Sequence, residues 1–319
     1  MPVSTKPAPV VLFCYNRPAH TEECLTALRE NDLASESVLY VYSDGPKENA
    51  SQEERDLIRQ TRDVIRKSKW CKDVIIIESE KNMGLAASVI RGVTEVAERH
   101  GTVIVLEDDV ITSKFFLKFM NDALTRYLDQ GNVFMISGYN FPINEFEKKG
   151  ESFFLPLITT WGWATWKRAW DNFDENATGY EELKTNLQLR NKFNLDNAYN
   201  YTDMLIQQME SNSISSWGIR WWWSVFKMNG LGLYPDNSLV KNIGWDGSGR
   251  HSTASNVFYD AGWRSDYEIH IFPSVAEVDY QKFGLIKNYL RAKFSPPEVL
   301  SKSTETLSLF KRLFGRKRR

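Results

Sequence analysis

Four short apolar runs, each followed by a polar or helix-like stretch, constrain this chain more than any other feature. Residues 9–15 (PVVLFCY), 37–43 (SVLYVYS), 73–78 (DVIIIE) and 102–106 (TVIVL) are rich in β-branched and aromatic residues and read as strands. Pro18 biases Arg17 away from helix and closes the first run, after which Thr21, Cys24, Leu25 and Leu28 open a helical pattern. Asp44-Gly45-Pro46 is a turn signal that closes the second. Residues 51–68 are charged, with Leu57, Ile58, Val64 and Ile65 as an apolar stripe, and 85–99 form another amphipathic stretch. Such alternation predicts an α/β chain with a parallel sheet covered on both faces. Ligands bind beyond the carboxyl edge of such sheets. Arg17, Asp44 and the triplet Glu107-Asp108-Asp109 follow strands one, two and four, so one rim is expected to carry them all.

Beyond the triplet the pattern predicts a helix over 113–129, strands at 132–137 and 153–158, and a polar helical region through about 210. A helix over 217–223 follows, then Gly- and Asn-rich loops to about 255. The chain has 319 residues and a net charge of −1, so no global basic field draws it to nucleic acid. Cys14, Cys24 and Cys71 are three and widely spaced, which excludes a disulfide scaffold and fits a reducing compartment. No apolar run reaches the roughly 20 residues of a membrane span, and the N-terminal residues lack the apolar core of a secretory signal. No GxGxxG follows the first strand and no GxxxxGK[ST] occurs, which argues against a dinucleotide dehydrogenase and a P-loop NTPase.

Three consecutive carboxylates after a buried strand cannot all face one ion, because neighbouring side chains alternate in direction. One or two oxygen ligands from such a turn, completed by phosphate and water, suit Mn²⁺ or Mg²⁺. A solvated turn capping the next helix is the plainer reading. Asp44 either accepts hydrogen bonds from a base or ribose, or only builds its turn with Gly45. Arg17 either grips phosphate or base, or makes a salt bridge.

The segments FCYNRPAH, YSDGP, NMGLAASVIRG and VIVLEDDVITSKFFLKFM, in this order, resemble the nucleotide-sugar half of GT-A glycosyltransferases. The N-acetylglucosaminyltransferase I-like family and bacterial sugar transferases of similar layout are the nearest groups, and the resemblance spans roughly residues 9–255. It implies a Rossmann-like, mostly parallel sheet with flanking helices and a Trp-rich acceptor region. By that resemblance Asp109 holds the metal, Glu107 and Asp108 lie near ribose and sugar, Arg17 and Asp44 hold the nucleobase, and Asn82 adds a nucleotide contact. The acceptor segment of the family resembles Trp161-Gly162-Trp163-Ala164, and an ordered loop resembles 239–244, ending at His251.

The departure concerns the catalytic base. The family places an Asp beside a Trp where this chain has Trp217-Gly218-Ile219, with no acid. Asp246 in the following loop and Asp203 upstream remain as substitutes, and His251 in the glycine-rich stretch reads as a base, a metal ligand or a phosphate contact. Eight of the 11 Trp lie between Trp161 and Trp223. Trp161, Trp163, Trp217 and Trp221 are the candidates for an acceptor platform, since flat rings match the C–H faces of sugars, while most of the eight are expected in the core. Trp222 and Trp223 cannot share a helix face with Trp221. The end of the chain, 307–319, pairs helical spacing of Leu307, Phe310, Leu313 and Phe314 with six positive charges, as a surface-lying membrane contact would.

These readings divide the chain into a nucleotide-sugar half (1–137), an acceptor half (138–295) and a basic tail (296–319). The expected activity is metal-dependent, inverting transfer from a nucleotide-diphospho-sugar, UDP-linked by resemblance, to a glycan or lipid-linked glycan. The expected setting is bacterial surface polysaccharide or lipooligosaccharide assembly, in the cytoplasm or on the inner face of the plasma membrane. A sugar nucleotidyltransferase and a non-catalytic glycan-binding protein are the alternatives.

Overall fold

A computed structural model describes residues 6–211, 216–245 and 263–294. Its first four strands, β1 (Val10–Cys14), β2 (Val38–Ser43), β3 (Asp73–Glu78) and β4 (Thr102–Glu107), are parallel neighbours in the order β3-β2-β1-β4. All five residues of β1 are buried, as a central strand covered on both faces requires. Helices α1 (Pro18–Arg29), α2 (Gln52–Arg66) and α3 (Leu85–His100) connect them. The first begins three residues before Thr21, because Pro18 sits at the first helical position, where its fixed φ helps and its missing N–H costs nothing. Thr21 is instead buried in the first turn and donates to the Arg17 carbonyl at 2.8 Å. Ser51 caps α2 by accepting from the Glu54 amide at 3.1 Å.

The second half completes the sheet. After β5 (Val110–Thr112) and α4 (Phe116–Arg126) come β6 (Val133–Ser137), β7 (Ser152–Leu155), β8 (Trp163–Trp166) and the short α5 (Lys167–Trp170). Then follow α6 (Leu187–Phe193), α7 (Tyr201–Glu210), α8 (Trp217–Lys227), β9 (Leu231–Pro235), β10 (Val240–Asn242) and α9 (Tyr280–Phe294). The eight-stranded order is β3-β2-β1-β4-β8-β6-β9-β7. The sheet is mixed rather than wholly parallel: β8 runs antiparallel between β4 and β6, and β7 runs antiparallel on β9. The Trp-rich segment thus supplies a central strand, which its sequence, buried on both faces, does not announce by alternation. A separate antiparallel ribbon pairs β5 with β10, Asn242 lying opposite Val110.

The core is aromatic. Trp163 stacks on Trp217 at 5.3 Å between ring centres, and Trp170 meets Trp221 at 5.0 Å. Helix α8 is buried on several faces: Trp221 packs toward Trp170, while Trp222 and Trp223 pack on Phe193. The three cysteines are free and buried, and burial pushes their thiols up, Cys71 to about 12, so none is poised as a nucleophile. Among the described residues no helix is long and apolar enough to cross a membrane. The tail 307–319 lies outside the described residues.

Candidate functional site

The carboxyl ends of β1, β2 and β4 open into one cleft of about 450 Å³, lined also by Trp161, Asn242, Gly244 and Trp245. The rim expected from the strand pattern is present: Arg17, Asp44, Asn82, Glu107, Asp108 and Asp109 all face this cleft. Their hydrogen bonds refine what each can do.

Arg17 bridges the acidic turn. One guanidinium nitrogen donates to Asp108 Oδ1 and the other lies 3.0 Å from Asp109 Oδ2. Burial alone would weaken the guanidinium's charge, but Asp108 and Asp109 outweigh it and hold Arg17 protonated. Burial, then the charges of Asp109 and Asp108, push the Glu107 carboxyl up to about 8. Burial also raises Asp108, to about 6, with Arg17 opposing. With Glu107 holding its proton near neutral pH, Asp108 and Asp109 share the guanidinium of Arg17, and two carboxylates on one fixed positive charge favour a further cation.

Asp44 is buried and fully engaged. Its Oδ1 accepts from the Gly45 and Met83 amides, each at 2.8 Å, and its Oδ2 from the Gly84 amide and Asn82 Nδ2, each at 2.9 Å. Four donors fill the four acceptor directions of a carboxylate. The expectation that Asp44 itself reads a nucleobase is therefore corrected: the carboxylate pins the loop before α3 and aims Asn82. A Cβ on Gly45 would stand 2.6 Å from the Ser79 carbonyl, so the loop packs against bare backbone there. Arg62 closes the same knot by donating to the Ser79 carbonyl at 2.8 Å.

Asp109 is held from the other side of the cleft. The β5–β10 ribbon carries the Ile243 amide to the Asp109 carbonyl at 2.8 Å and Asn242 Nδ2 to within 3.4 Å of Asp109 Oδ1. Asn242 and Trp245 were not picked out as individual site residues from sequence, because a three-residue strand pairing across more than 100 positions leaves no periodic trace.

Of the candidate platform only Trp161 reaches the cleft, edge-on to Tyr139 at 4.8 Å and to Trp245 at 6.2 Å. Trp163, Trp217 and Trp221 are corrected to core residues: each is at least nine-tenths buried in the stack beneath the sheet. Asp203 is set aside as a base, since its carboxylate accepts from the side chain of Asn200, the cap of α7, and pairs with Arg190 at 2.8 Å. Asp246 and His251 lie outside the described residues.

Among the described residues no three His, Cys, Asp or Glu side chains form a complete metal cage. The oxygen-only donors Asp108 and Asp109 fit a hard divalent cation that takes its remaining ligands from phosphate and water.

No family model matches the chain, and no curated protein matches it. Solved structures similar to it include S. aureus TarS, 15% identical over 61% of this chain and 32% of that one, with a TM-score of 0.31. The galactosyltransferase LgtC in complex with donor and acceptor sugar analogs is 10% identical over 71% of this chain and 86% of that one, TM-score 0.34. Mouse xyloside xylosyltransferase 1 is 11% identical over 69% and 81%, TM-score 0.34. The chain spans about a third of TarS. At such identities and TM-scores the likenesses assign this chain no activity, and the reading rests on its own residues.

Proposed function

We propose that this chain is a glycosyltransferase that uses a nucleotide-diphospho-sugar. One observation carries the reading: Asp108 and Asp109, at the carboxyl end of β4, face a cleft walled by the loop that Asp44 fixes and by the β5–β10 ribbon. The motifs that resemble GT-A transferases supply the same elements in the same order. The carboxylates alone repel a diphosphate. Mn²⁺ or Mg²⁺ held by Asp109, with Asp108 beside it, reconciles the two charges and would supply Lewis-acid stabilisation of the leaving diphosphate. Arg17 orients the two aspartates, Asn82 meets the nucleoside side of the cleft, and Trp161 bounds the reacting sugar.

The reaction in this reading is displacement at the anomeric carbon: the acceptor oxygen forms the new bond, the bond to the diphosphate breaks, and the hydroxyl proton passes to a base. Inversion and a uridine donor follow the resemblance, as do a glycan or lipid-linked glycan acceptor and a role in surface polysaccharide or lipooligosaccharide synthesis. Asp246 and His251 remain the proposed sources of the base, and a membrane-surface contact through 307–319 remains part of the proposal. A non-catalytic glycan-binding role is the second reading, favoured by Gly218 standing where the family carries its acid.

Thermal-shift titration with nucleoside diphosphates, with Mn²⁺ or with chelator, tests the proposal. A ligand at a hundred times its Kd stabilises the fold by about 2.7 kcal/mol. The expected result is a Mn²⁺-dependent shift with one nucleotide, lost in Asp109→Ala. Absence of any nucleotide shift would remove the transferase reading. Slow hydrolysis of the bound nucleotide sugar would exclude the non-catalytic one.

A further inference from the structure

Behind Trp161 lies a second cavity, of about 220 Å³, that the nucleotide site does not use. Trp161 is common to the walls of both. The wall is assembled from Tyr139, the segment 158–161, Tyr199 and Tyr201 at the start of α7, and the first turn of α8. Two physical features limit what it can hold. Among the described residues that line it, none is charged, so an ionised group entering it would lose its hydration without a counter-charge. Its walls are rings in edge and tilted contact, Tyr139 with Trp161 and Tyr199 with Tyr201 at 4.6 Å, interleaved with hydroxyls. Those of Thr160, Tyr199 and Tyr201 have no hydrogen-bond partner among the described residues.

We infer that this cavity seats one neutral sugar ring of the acceptor. Apolar C–H faces lie against the aromatic walls, and ring hydroxyls pair with Thr160 and Tyr201. Trp161, shared with the first cleft, then stands between this ring and the donor sugar. The word acceptor rests on the transferase reading; the preference for a neutral ring rests on the cavity itself.

Gly218 offers a clean block. A Cβ there meets nothing closer than Thr160 Oγ1 at 3.6 Å, so a side chain added at this position has room to grow beside a cavity-lining residue. Saturation-transfer NMR with methyl glycosides of glucose, galactose, mannose and N-acetylglucosamine, and with methyl glucuronide as the charged probe, reads the cavity directly. At least one neutral glycoside is expected to bind wild type, with methyl glucuronide at least tenfold weaker. Binding is expected to fall at least tenfold in Gly218→Leu and several-fold in Tyr201→Phe, which keeps the ring and removes only the hydroxyl. The Mn²⁺-dependent nucleotide shift, measured on the same samples, is expected to be unchanged in both variants. Equal binding of the glucuronide, no binding of any neutral glycoside, or neutral binding that survives both substitutions would overturn the inference. A missing nucleotide shift in wild type, with glycoside binding intact, would sink the transferase reading and leave the cavity assignment standing.

Discussion

A Cβ built on Gly244 would stand 2.3 Å from Asp109 Oδ2, so Asp109 keeps this rotamer beneath the loop after β10 because residue 244 has no side chain. Ile243 donates its amide to the Asp109 carbonyl at 2.8 Å, and the two segments are held in that register by the β5–β10 ribbon. Gly244→Ala is therefore expected to swing the exposed end of Asp109 rather than unfold the protein. Cation-dependent nucleotide affinity, measured by calorimetry, should fall about tenfold, which corresponds to about 1.4 kcal/mol. Gly218→Ala is the control: it lies in a helix with room for a methyl group, and should raise stability by about 0.5–1 kcal/mol without touching nucleotide affinity.

Asp44→Asn leaves one oxygen where two accepted four hydrogen bonds, and turns an amide group toward existing donors. Hydrogen bonds to a charged group contribute about 1.5–3 kcal/mol each, and unpaired buried donors cost more than lost bonds. A loss of about 2 kcal/mol or more is expected in urea unfolding. Amide exchange at Met83 and Gly84 should accelerate before that of β2 itself, because the loop opens first.

The pH dependence of stability follows from Glu107. Burial and the neighbouring aspartates raise its folded-state pKa to about 8, above the usual carboxylate value. The folded protein then holds a proton that the unfolded chain has released, so stability falls as pH rises from the unfolded pKa through about 8. Glu107→Gln removes that penalty. In chelator, its melting temperature should exceed wild type by roughly 3 °C at pH 8.5, for about 2 kcal/mol, and by little at pH 4.5. A gain of equal size at both pH values would contradict the linkage.

Two tryptophans two residues apart separate core from site. Trp163→Ala, wholly buried in β8, should cost about 3–5 kcal/mol by chemical unfolding. Trp161→Ala, half-buried between two cavities, should cost well under half of that, and its effect should appear in ligand binding.

The rim of charged residues was legible before any coordinates because each follows an apolar run, and a buried strand leaves its carboxyl end at one edge. Arg17, Asp44 and Glu107-Asp108-Asp109 reach that edge by local chain direction alone. What each does there was not legible. Asp44 reads equally as a ligand contact or a turn residue until the amides of Met83 and Gly84 close on it. The tryptophans failed for a related reason: ring chemistry is the same in a core and on a platform, and only burial distinguishes Trp161 from Trp163, Trp217 and Trp221.

By itself, the sequence determined the alternating α/β half, the parallel direction of strands joined by helical crossovers, and the acidic turn, because these depend on hydrophobic period and on residues close in the chain. Only the tertiary structure decided that β8 runs backwards between β4 and β6, that β10 pairs with β5, and that a neutral cavity shares a wall with the acidic cleft. Those features join segments from 26 residues apart (Ser137 with Trp163) to 132 apart (Val110 with Asn242) by backbone pairing. Such contacts are favourable only once the rest of the sheet has brought their partners together, so no local pattern encodes them.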